Sequence, residues 1–109
     1  MIEKKNFYIN GKWVSPAKPN DFEVINPSTE EAFAIISLGS AEDADKAINA
    51  AKIAFDTWRE TTKEERLALL EKFDEIYNRR WDEMVEAQSK EMGAPLDFAS
   101  ETHTKKGAD

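Results

Sequence analysis

The side chains able to do chemistry in this 109-residue sequence are many but scattered. Cysteine is absent, which excludes a thiol nucleophile, thiolate metal ligands and disulfides within the chain. His103 is the single imidazole; its neighbour Glu101 points elsewhere on a helix, so His103 lacks a partner for base or metal-ligand work and reads as a solvated surface residue. Serines and threonines fall where caps and turns use their hydroxyls, with no second titratable group to activate them. The carboxylates Glu64-Glu65, Asp74-Glu75 and Asp82-Glu83 lie on polar helix faces beside Lys72, Arg79 and Arg80, which suits solvated ion pairs better than acid–base pairs. Gly11, Gly39, Gly93 and Gly107 are too far apart to form a dinucleotide fingerprint or a phosphate loop. Trp13, Trp58, Trp81, Phe55, Phe73 and Tyr77 could be drawn as a ligand cage, but the helical spacing of most of them points to packing. One carboxylate stands apart. Glu91 sits beside the helix end Gly93-Ala94-Pro95, among carbonyls with no partner in the helix, where a cation is favoured.

The elements that must position these groups are legible from periodicity. In the stretch 40–58, Ala44, Ala47, Ile48, Ala51, Ala54, Phe55 and Trp58 recur at three- and four-residue steps and form one face of an amphipathic helix. Its alanines allow close approach of a neighbouring backbone, and Phe55 and Trp58 supply most of its apolar area. Upstream, Phe7-Tyr8-Ile9 and Lys12-Trp13-Val14 flank Asn10-Gly11, which fits a type I′ hairpin turn. Phe22-Glu23-Val24-Ile25 begins a strand ended by Pro27, and Ala32 to Leu38 reads as another. Ser40 with Asp43, and Thr62 with Glu65, are capping boxes for two successive helices. Leu69, Leu70, Phe73, Ile76 and Tyr77 stripe the second helix, and antiparallel contact between the two is expected. Trp81, Met84, Val85, Gln88 and Met92 continue the period on a new face after a kink near 78–80, and Gly93 with Pro95 stops that third segment. The expected fold class is α+β: a short antiparallel hairpin and ribbon followed by three to four helices. Its parts are a tail at 1–5, strands within 6–38, and helices at 40–60, 62–79, 80–92 and 95–106.

Composition narrows the partners. A net charge of −7, spread rather than blocked, argues against nucleic acid or an anionic membrane. No run approaches the roughly 20 apolar residues of a membrane span, and the N-terminus lacks a signal-peptide core, so a soluble, cytoplasmic protein is expected. Three amphipathic helices set against a small ribbon leave more apolar surface than the chain can cover. The sequence reads as the first part of something larger.

Taken in order, Tyr8-Ile9-Asn10-Gly11-Lys12-Trp13-Val14, Phe22-Glu23-Val24-Ile25-Asn26-Pro27-Ser28-Thr29-Glu30-Glu31, the helix from Ala41 to Phe55 with Trp58, Glu65-Arg66 with Leu69-Leu70, and Gly93-Ala94-Pro95 resemble the N-terminal segment of the NAD(P)-dependent aldehyde dehydrogenases. The resemblance implies the outer part of a cofactor-binding domain whose parent is α/β, with a Rossmann-like sheet formed by later residues. It implies that the parent oxidises an aldehyde to a carboxylic acid with NAD or NADP through a cysteine thiohemiacetal. The catalytic cysteine, general-base glutamate, oxyanion asparagine and cofactor glycines would all lie outside these residues, so no catalytic or cofactor-binding residue is assigned here. It further implies a Na⁺ or K⁺ site using the Ile25 carbonyl and the Glu91 carboxylate, with Glu in place of the more usual Asp and Ala94 in place of Lys. The expected partners are the remainder of the chain and further copies in a homo-oligomer. A second reading is a stand-alone α+β interaction module that uses its uncovered helix faces to bind a partner.

Overall fold

Five short strands occupy the first third of the chain: β1 (Ile2–Lys4), β2 (Phe7–Ile9), β3 (Lys12–Val14), β4 (Asp21–Asn26) and β5 (Glu31–Ser37). The computed structural model describes all residues from Met1 to Asp109, and its architecture is mixed α and β. The chain divides into two units, Met1–Ile25 with Ala32–Thr61, and Asn26–Glu31 with Thr62–Asp109.

In the first unit β2 and β3 pair antiparallel, with Phe7 opposite Val14 and Ile9 opposite Lys12. Asn10 and Gly11 take φ of 54° and 73° at the tip, the backbone a tight hairpin requires. A second sheet has the order β1-β5-β4. The connection from β4 to β5 is too short for a parallel crossover, so these strands form a hairpin. The residues expected as a tail instead contribute β1, which runs parallel to β5 with Ile2 beside Ala34 and Lys4 beside Ile36. A three-residue strand with all its side chains exposed has no hydrophobic period to announce it, and its partner lies about thirty residues on.

Helix α1 (Ala41–Trp58) starts in a complete capping box. The Asp43 amide donates to Ser40 Oγ at 3.3 Å, and Asp43 Oδ2 accepts from the Ser40 amide at 2.9 Å and the Ser40 hydroxyl at 2.8 Å. The other oxygen, Oδ1, accepts from the Ala17 amide at 2.8 Å, so one carboxylate ties the 15–20 loop to the helix start. These bonds, the Ser40 amide first, then the Ala17 amide and the Ser40 hydroxyl, hold Asp43 below the usual carboxylate range. Since the folded state favours the ionised form, the stabilisation is complete above the ordinary carboxylate pKa and is lost as pH falls through the depressed value. Asp43→Asn should therefore weaken the protein at neutral pH and flatten its acid-unfolding profile; an unaltered acid limb would refute the assignment. Ser40→Ala should cost about 1 kcal/mol through the lost cap, read as a shift in the unfolding midpoint.

The second unit carries α2 (Lys63–Arg79), α3 (Trp81–Met92), α4 (Leu96–Phe98), a π-helical turn over Ala99–Thr104, and α5 (Lys105–Ala108). Thr62 and Glu65 close the box of α2, through Glu65 amide to Thr62 Oγ1 at 3.1 Å and Thr62 amide to Glu65 Oε2 at 2.7 Å. Arg80 leaves helical geometry at φ −101° and ψ 17°, which separates α2 from α3. Gly93 ends α3 in the left-handed region at φ 69°. α3 packs along the π turn, where Val85 and Ala99 are buried.

Little apolar surface is covered. Ala34, Val85 and Ala99 are the only buried apolar residues, while Ile48, Ile53, Phe55 and Trp58 of α1 and Leu67, Leu69, Leu70 and Phe73 of α2 are exposed. α1 and α2 fall in different units, and the apolar face of each is exposed. The accessible surface is 8665 Å². Two separate folded units sharing the 12.4 kDa mass equally would expose about 7,400 Å². The excess of roughly 1,300 Å² exceeds the ~800 Å² that each partner buries in a standard protein interface.

Candidate functional site

The two residues singled out for a monovalent cation belong to different units. Ile25 is the last residue of the first unit's opening segment and lies in β4; Glu91 lies in the last turn of α3 in the second. Glu91 is exposed and engages no cation of the chain, and its neighbourhood is well defined. The Gly93 amide donates to Ser89 O at 2.9 Å, and a Cβ on Gly93 would lie 2.9 Å from Pro27 Cγ and 3.7 Å from Ser28 Oγ. The α3 terminus is thus pressed against the 26–31 turn. That turn is self-supporting: Asn26 O accepts from the Glu30 amide at 2.8 Å, Asn26 Oδ1 accepts from the Ser28 amide at 2.9 Å, and Glu30 takes φ 59°. A backbone carbonyl and a carboxylate are hard oxygen donors, the chemistry Na⁺ or K⁺ accepts. No group of three or more His, Cys, Asp or Glu side chains gathers anywhere in the chain.

The remaining candidates resolve as structural. Asp43 spends both oxygens on the backbone and Ser40. Arg80 pairs with Glu83 at 2.7 Å, and each shift is set first by that hydrogen bond, which raises the guanidinium and lowers the carboxylate. Such an exposed pair is screened by solvent and contributes little to stability. The glycines cradle no phosphate: Gly11 tips a hairpin, a Cβ on Gly39 would lie 3.7 Å from the Phe7 ring, Gly93 ends a helix, and Gly107 faces the Tyr77 phenol. These four glycines therefore form no dinucleotide fingerprint or phosphate loop. A shallow, mostly apolar groove of about 330 Å³ lies between β2 and the start of α1; its polar lining includes Tyr8, Ser40 and Asp43, and the last two are engaged in the helix cap.

His103 differs from its expectation. It is half-buried, its ring meets Phe98 edge to face at 4.9 Å, and Nδ1 is enclosed without a hydrogen-bond partner. The cause is the π turn, which superposes residues five apart rather than three or four. Sequence reasoning also missed the bonds from Tyr77 Oη to Thr104 O at 3.0 Å and from Trp81 Nε1 to Ser100 Oγ at 3.0 Å. Their aromatic types hinted at buried polar tips, but nothing indicated the partners.

An α+β segment with cap-defined helices and unmatched apolar faces leaves surface that a larger fold would cover. Residues 13–109 match the model of the aldehyde dehydrogenase family. A 3-succinoylsemialdehyde-pyridine dehydrogenase from a Pseudomonas species is 46% identical over 96 residues, which cover 88% of this chain and 20% of the relative. Among solved structures, an aldehyde dehydrogenase from Bartonella henselae is 56% identical with a TM-score of 0.97, over 99% of this chain and 23% of that one. Aldehyde dehydrogenase C from Pseudomonas syringae, solved as a mutant with NAD⁺ and octanal, is 38% identical with a TM-score of 0.93, over 95% and 21% of the two chains. This chain belongs to the aldehyde dehydrogenase family. It spans about a fifth of the length of the curated relatives it matches. No helix is long and apolar enough to cross a membrane.

Proposed function

We propose that these residues are the N-terminal scaffold portion of an NAD(P)-dependent aldehyde dehydrogenase, a cytoplasmic homo-oligomer that oxidises an aldehyde to a carboxylic acid. The family match over residues 13–109 carries the reading. The excess exposed surface supports it, because apolar helix faces of this size need cover, and the remainder of a longer chain supplies it. The segment contributes packing surface and contains no reacting group. NAD⁺-bound relatives support a nicotinamide as the oxidant of the whole protein, held by residues outside this segment. The test is an aldehyde panel with NAD⁺ and NADP⁺, assayed on the whole protein and on residues 1–109 alone. Nicotinamide reduction is expected from the first and none from the second; turnover by the short chain would overturn the assignment.

The exposed faces also suit a stand-alone interaction module, and the length of the reading frame separates the two readings. Continuation for several hundred codons supports the enzyme, and a stop after Asp109 supports the module. For the whole protein, Ile25 and Glu91 are the proposed Na⁺ or K⁺ ligands. Melting in NaCl and KCl against a tetraalkylammonium salt should show a cation-dependent rise that Glu91→Ala abolishes. Identical curves in all three salts would remove the site.

A further inference from the structure

The last helical stretch widens into a π turn over Ala99–Thr104, a rare geometry found mostly as single-turn bulges within α-helices. Two aromatic side chains hold it. Tyr77 Oη donates to Thr104 O at the far end, and Trp81 Nε1 donates to Ser100 Oγ near the beginning. One turn further on, a Cβ at Gly107 would collide with Tyr77 Oη and lie 3.1 Å from Cζ, so position 107 must stay bare to admit the phenol. The widened turn is not self-sufficient. Thr104 is fully enclosed, yet Thr104 Oγ1 and His103 Nδ1 have no hydrogen-bond partners, and Ser100, Thr102 and Thr104 are weak helix formers that favour neither register strongly.

The geometry points to a two-state α/π turn at Ala99–Thr104, set in its wide register by Tyr77 and released when that hydroxyl bond is lost. Conversion to the α register rotates everything beyond Thr104 by about 100°, one residue of helical turn, and moves His103 and Thr104 off the enclosed face. Tyr77 acts here as a positioning residue. It also links the turn to the exposed face of α2: Phe73 stacks on Tyr77 at 6.1 Å, and Tyr77 meets Trp81 edge-on at 6.2 Å.

Hydrogen exchange on the whole protein tests this, with Tyr77→Phe as the first variant because it removes only the hydroxyl. Exchange of amides 103–108 should rise about five- to tenfold, the equivalent of one hydrogen bond, while α2 and α3 keep their protection. A crystal structure of the variant should show four-residue hydrogen-bond spacing through 99–104. Unchanged exchange with the π turn intact overturns the proposal, as does a rise spread evenly over α2 and α3, which would be plain destabilisation. If Tyr77→Phe does not fold, Gly107→Ala crowds the phenol away from Thr104 O and keeps the tyrosine. Faster exchange confined to 103–108 supports the switch, and no change overturns it.

Discussion

Gly93→Ala is expected to destabilise the whole protein by about 2–3 kcal/mol, through two separable effects. A residue with a Cβ held in the left-handed region costs roughly 1–2 kcal/mol, and Gly93 sits there at φ 69°. The new methyl would also lie 2.9 Å from Pro27 Cγ, so the proline ring or the helix end must move. Overpacking of that kind costs about 1 kcal/mol or more. The two parts come apart in a double-mutant cycle, because Pro27→Ala removes Cγ and leaves the backbone conformation of residue 93 unchanged. Gly93→Ala in the Pro27→Ala background should therefore cost about 1 kcal/mol less than in the wild type. Equal costs in both backgrounds would show that the α3 end does not press on the 26–31 turn.

What could be read from the sequence was whatever local chemistry writes in a fixed pattern. Ser40 with Asp43, and Thr62 with Glu65, are spaced so that each side chain meets the other's backbone amide, and both boxes are present. Asn10-Gly11 marks its turn because few residues accept its backbone angles. The order of strands and helices, and with it the mixed fold, follows from such signals. Hidden instead were features fixed by residues distant in sequence. The parallel pairing of β1 with β5 sets Ile2 beside Ala34 and Lys4 beside Ile36, partners about thirty positions away that no local pattern in Ile2–Lys4 announces. The bond from Ala17 to Asp43 spans 26 positions, and Asp43 looked like a capping residue only. The π turn has no periodic signature, since ASETHT could equally continue an α-helix, and the widening becomes visible only with Tyr77 and Gly107 in place. Glu91 is marked by its place beside the orphan carbonyls of a helix end, whereas Ile25 comes from resemblance alone, because a backbone carbonyl ligand leaves no mark on the residue type that carries it.

Residues 1–109 expressed alone are expected to self-associate and to bind a hydrophobic dye strongly, with a broad unfolding transition. The balance of energies requires it. Covering a Leu, Ile or Phe side chain stabilises a fold by about 1.5–3 kcal/mol, and the four large apolar residues of α2, Leu67, Leu69, Leu70 and Phe73, are each at least half exposed. Their unmet burial therefore outweighs the cap of α2, worth about 1 kcal/mol, and the exposed ion pairs at Lys72–Glu75 and Arg80–Glu83, worth less. Nor is there a core to resist, with only Ala34, Val85 and Ala99 buried. Leu70→Glu with Phe73→Glu should reduce dye binding and sedimentation mass in the isolated segment, because charge on that face opposes association. The same pair in the whole protein should sharply lower soluble yield, because there the face is covered and two carboxylates would be buried without partners. If the isolated wild-type segment sediments as a monomer, ignores the dye and unfolds in one sharp step, α2 needs no cover, and the scaffold reading loses its physical basis.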